Sequence, residues 1–332
     1  MSLTRLWSRA VVCSALLLAS TACADLLGKG DRDIDDDDFD IDVEYYGTTP
    51  AAEVKSAVAA AAARLEQVVV GDVEHREVGF TNPLDVGECF GLPAGTFTYT
   101  EKLIDDVVMV VRVDSVDGPS TILAHAGPCL IRDNHNNETV IGTVTIDSAD
   151  AASMVSSGRL TEVLTHEFLH VLGIGSSWEF HGLLQGKGTT MPRVTGASAL
   201  AECRGSAGGS GVCDGAVPAE DCENLGTTSC GAGTLESHWK ESTFESEMMT
   251  GYVESGSTGA NKLSRITIGA LQDLGYVVDF TAADAYTVPA GAAALRAGES
   301  TVQQGQLIAF DRVRKPRFLI TPQKVLIRIG QP

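Results

Sequence analysis

The chain has 332 residues, 44% of them hydrophobic and 20% charged, enough for one large or two modest globular domains. Its formal net charge of −20 argues against nucleic-acid binding, which requires a basic face, and suits a soluble, self-repelling surface.

Arg5 and Arg9 flank the apolar run AVVCSALLLA (residues 10–19), which is too short to span a bilayer as a mature helix. Residues 1–22 therefore read as a secretory signal peptide. STAC (20–23) resembles a bacterial lipobox, with cleavage before Cys23 and lipid on its thiol. The rival is cleavage after ACA (22–24), which releases a soluble protein; the lipoprotein reading is preferred. Residues 23–50 follow as an acidic spacer. Asp31–Tyr46 carries nine acids and one arginine, a run that repels itself and stays extended. It lacks the D-x-D-x-D-G-x5-E spacing of a calcium loop.

Residues 51–70 are Ala-rich and free of Gly and Pro, and Pro50 precedes them, so a helix is expected there. Residues 105–116 and 139–149 are β-branched runs with strand character. A second helix is expected over 158–172, ended by Gly173, and a third over 265–279, closed by Gly275 before a strand. The basic C-terminal stretch alternates like hairpin strands, so residues 291–332 read as a small appended β element or an ill-ordered tail.

After Cys13 and Cys23, six cysteines remain: Cys89, Cys129, Cys203, Cys213, Cys222 and Cys230. An even number in an exported chain implies disulfides. The last four crowd together without a C-x-x-C pair, so they are expected to staple one Gly-rich loop, and Cys89 is expected to pair with Cys129.

The chemistry concentrates in LTHEFLHVLGIGSSW (164–178), which contains H-E-x-x-H. Positions i and i+4 share a helix face, so His166 and His170 can present nitrogens to one metal ion. Glu167 lies about 100° round the helix, within reach of a metal-bound water. Burying two histidines and a glutamate in so apolar a helix needs a partner, and a metal supplies one. A catalytic zinc takes three protein ligands. The sixth position after His170, where many relatives of this motif carry a third histidine, holds Ser176. The residues alone leave His75, His125, His135, Glu179, His181 and His238 as candidates for the third ligand, with His181 the strongest local one.

HEFLHVLG, then SHW (237–239), then EMMTGY (247–252), in that order, resemble the leishmanolysin-like zinc metallopeptidases of the metzincin group, in a bacterial lipoprotein form. LAHAGPCLI (123–131) and LSRITIGALQDLGY (263–276) are similar to family segments flanking the site. The resemblance covers roughly residues 51–290 and implies a catalytic domain there, with residues 171–237 a Gly/Cys-rich insertion. It implies an α+β fold: a mixed twisted sheet, an active-site helix and a mainly irregular or helical C-terminal subdomain. It also implies His166, His170 and His238 as ligands of one catalytic Zn2+, Glu167 as general base and Met249, with Met248 as its neighbouring alternative, as the Met-turn residue. Tyr252 is a candidate oxyanion stabiliser or a packed tyrosine. With no cysteine between Cys23 and Cys89, a cysteine-switch latency is in doubt.

The function these residues support is hydrolysis of protein or peptide substrates by a surface-anchored monomer, held to the membrane only by its N-terminal lipid. The alternative is a surface adhesin or binding module with a structural or vestigial zinc.

Overall fold

The computed structural model describes residues 38–222, 233–253, 260–289 and 313–329; the expected signal peptide, Cys23 and Cys230 lie outside them. Among the described residues no helix is long and apolar enough to cross a membrane. The frame is a mixed sheet whose strands, in chain order, are β1 (Ile41–Tyr45), β2 (Val107–Asp114), β3 (Ala124–Arg132), β4 (Thr139–Asp147), β5 (Phe318–Ile320) and β6 (Leu326–Arg328). They lie side by side as β1-β2-β4-β3-β5-β6. β1, β2 and β4 are parallel, β3 runs antiparallel to β4, β5 parallel to β3, and β6 antiparallel to β5.

Both faces of this sheet are covered, which explains the unbroken apolar runs read in the sequence. Along β2, Val107, Met109 and Val111 enter one core while Val108 and Val110 enter the other. The first core lies under helices α1 (Ala52–Glu66) and α2 (Leu160–Val171). α1 turns Val54, Ala57, Val58, Ala61, Ala62 and Leu65 inward, a stripe at helical spacing. The second core contains the Cys89–Cys129 disulfide, the pairing expected from the sequence.

α2 begins after Gly158, which takes a left-handed φ of 71° and separates it from a short helix, Ala151–Ser156. Every residue from Val163 to Val171 is buried. α2 packs on α1, β3 and β4. Gly142 of β4 makes room for it, because a Cβ there would run into both methyls of Val171. Gly142→Ala is therefore expected to destabilise the fold by about 1–3 kcal/mol, read as a lower thermal midpoint. An unchanged midpoint would mean that α2 can shift freely on the sheet.

Two sequence expectations need correction. The acidic stretch is not an extended spacer throughout. Ile41–Tyr45 is the β1 strand, and Phe39 and Ile41 are buried in the core, which offsets the self-repulsion of the surrounding acids. The C-terminal stretch is not a separate appendage either. Its β5 strand continues the main sheet beyond β3, with Phe318, Leu319 and Ile320 all buried. The first helix also ends earlier than expected, at Glu66, whereas the helix that starts at Arg265 ends at Asp273 and is closed by the left-handed Gly275, as expected.

The Gly/Cys-rich insertion has structure of its own. It holds helix α3 (Ala197–Gly205) and a small sheet of Leu184–Gln185, Arg193–Val194 and Val217–Pro218. Helix α4 (Arg265–Asp273) packs on α3. The Asp273 carboxylate accepts hydrogen bonds from the Ser198 and Ala199 amides at 2.8 and 2.9 Å, satisfying the α3 N-terminus. Cys203–Cys213 closes the chain after α3. Cys222 is disulfide-bonded as well.

Candidate metal centre

α2 carries His166 and His170 one turn apart, both fully buried. The chain then reverses at Gly173 and Gly175, with φ of 111° and 70°. Ser176 closes the helix end by donating its hydroxyl to the His170 carbonyl at 2.6 Å. A side chain at Gly175 would collide with the Ser237 carbonyl, so this glycine lets the returning segment lie directly against the turn. That segment delivers His238. Its carbonyl accepts from the Glu220 amide at 2.9 Å, and the next residue, Trp239, bonds through its amide to the Met249 carbonyl at 2.9 Å. Trp178 and Trp239, both fully buried, pack together with tilted rings whose centroids are 4.7 Å apart.

The result is a buried triangle of imidazoles. The Nε2 atoms lie 2.9 Å apart for His166–His170, 3.1 Å for His170–His238 and 3.2 Å for His166–His238. Each Nδ1 faces a main-chain carbonyl: Met248 O at 2.7 Å from His166, Ile174 O at 2.7 Å from His170 and Thr234 O at 3.1 Å from His238. A carbonyl only accepts, so each Nδ1 carries the proton and each Nε2 turns its lone pair inward. Three lone pairs directed at one point suit a cation. A tetrahedral ion with Zn–N bonds of about 2.0–2.1 Å would set nitrogens about 3.3 Å apart, close to these separations.

Of the other candidate ligands, none joins this group. His181 remains on the turn beyond α2, its amide bonded to the Ser177 carbonyl at 3.0 Å and its ring against Phe180. Glu179 is paired with Lys187 at 2.5 Å, which lowers its pKa. His75 and His135 are exposed. His125, on β3, takes a hydrogen bond from Arg314 at 3.2 Å.

Glu167 is fully buried beside His166 on α2. Met248 and Met249 are the central residues of a turn closed by Thr250 N–H onto Glu247 O at 3.3 Å. Met249 is fully buried, and it is the Met248 carbonyl that holds His166. Gly251 lies against Thr234 and the His238 ring, so a Cβ there would crowd Thr234 Cγ2 at 2.5 Å. Tyr252 is buried, and burial together with the charges of Glu220 and Glu241 raises its pKa, keeping the hydroxyl a neutral donor. The three carbonyl acceptors and the Ser176 cap were beyond sequence reading, because backbone groups carry no residue signature. The glutamate of EMMTG stands in the sequence, but nothing in its spacing marks it as part of the site.

Residues 65–294 match the leishmanolysin family model, more than half of the chain, and the chain belongs to that family. The family is one of metal-dependent peptidases, which favours the peptidase reading over the binding module. A leishmanolysin homolog from Crithidia fasciculata is 27% identical over 194 residues, covering 56% of this chain and 27% of that protein's length.

Proposed function

We infer that this chain is an exported zinc metalloendopeptidase. The observation that carries the reading is the convergence of three buried Nε2 atoms whose Nδ1 atoms are all tied to carbonyls. His166, His170 and His238 would hold the ion. When bound, zinc lowers the pKa of a coordinated water toward about 7 and polarises a substrate carbonyl. The chain's own residues supply the rest. Glu167 takes the proton from the attacking water and passes it to the leaving amine. The Tyr252 hydroxyl, kept protonated by its surroundings, is the candidate donor to the carbonyl oxygen as charge develops there. Export is supported by the disulfides, which form in oxidising compartments, while lipid on Cys23 rests on the STAC motif alone. The substrates are proteins or peptides.

The test is cleavage of a broad peptide library, followed by mass spectrometry. A chelator is expected to abolish cleavage, and added zinc to restore it. Stoichiometric zinc with no cleavage across the library would sink the peptidase reading.

A further inference from the structure

Glu247 is the first residue of the turn that touches His166, and its side chain is fully buried. One carboxylate oxygen accepts from the Met249 amide at 2.6 Å. The other accepts from the hydroxyls of Ser264 and Thr267, each at 2.6 Å, and from the Ser264 amide at 3.3 Å. Ser264 is the N-cap of α4, so the carboxylate sits at the positive end of that helix. Burial raises its pKa, and these donors offset only part of that rise.

The bonds run on to the metal centre by two routes. Through Met249 N–H, Glu247 grips the turn whose Met248 carbonyl holds His166 Nδ1 at 2.7 Å. Through Thr267, whose hydroxyl accepts from the Trp239 indole at 2.8 Å, it reaches the residue next to His238. Asn261 steadies the same turn from outside, donating to the carbonyls of Glu247 and Tyr252 at 3.1 and 3.0 Å.

We propose that Glu247 is a positioning residue for the metal centre, locking the Met248–Met249 turn and the Trp239 segment to α4 so that His166 and His238 keep a metal-binding orientation. The proposal rests on the metal site inferred above. Ordinary core packing would not need a carboxylate. The chemistry here does, because four donors from three residues on two segments converge on it and a carboxamide cannot accept them all. In Glu247→Gln one oxygen can still serve Ser264 and Thr267, but the amide nitrogen then faces the Met249 N–H, donor against donor.

The test uses cobalt(II) in the full-length chain, read by competition titration and by the ligand-field spectrum. Glu247→Gln is expected to bind cobalt about 10–100-fold more weakly, with an altered spectrum, as outer-shell losses do at other metal sites. A wild-type affinity and spectrum in a folded Glu247→Gln protein would overturn the proposal. Thr267→Val, which removes only the Trp239 route, decides the matter if Glu247→Gln does not fold. It is expected to weaken cobalt binding in the same direction by several-fold, and unchanged binding and spectrum would overturn the proposal. Because no peptide is involved, a chain that binds cobalt but cleaves nothing would count against the peptidase reading alone. A wild-type chain that binds no cobalt would overturn both.

Discussion

Alanine in place of His238 is expected to cost the protein its metal, while alanine in place of His181 leaves metal content at the wild-type level. The two residues are the serious rivals in sequence, one close after the helix and one across a long insertion. The structure puts only His238 with its Nε2 within 3.2 Å of both helical histidines. Loss of a direct ligand should weaken binding beyond the roughly 100-fold ceiling typical of outer-shell partners. His181→Ala removes a half-buried ring packed on Phe180 and nothing that faces the triangle. The measurement is zinc per chain after dialysis against a weak chelator, with circular dichroism to show that both variants fold. If His238→Ala retains one zinc per chain, the third ligand lies elsewhere.

The distance between those histidines explains what could and could not be read in advance. The helical half of the site was legible because i, i+4 spacing maps directly onto a helix face. β2 and β4 were legible because both are continuous β-branched runs. β3 is not legible as a strand in the sequence: Gly127 and Pro128 interrupt it, and its register shifts at Pro128 and Leu130. β1 hid under its acids, since charge patterning reads the whole run while two apolar side chains, Phe39 and Ile41, decide burial. The approach of His238 depends on contacts without a side-chain signature, namely the Ser237 carbonyl against Gly175 and the Met249 carbonyl against Trp239. Only the order of motifs pointed to it. Ser176, which stands where many relatives of the motif have a histidine, serves as the helix cap that the chain reversal requires.

Glu167→Gln should separate binding from chemistry more sharply than any other change. The glutamate is fully buried on α2 but lies outside the imidazole triangle, so the variant is expected to keep stoichiometric metal. Glutamine preserves the shape and can no longer take up a proton. The expected loss in kcat is about 10²–10⁴-fold, the usual worth of a positioned general base. KM should move far less, because the group acts on the attacking water and not on the peptide. A loss of metal together with activity would instead make Glu167 a structural support of the site. Wild-type turnover in a metal-loaded Glu167→Gln protein would remove it from the mechanism and require another base within reach of the same three histidines.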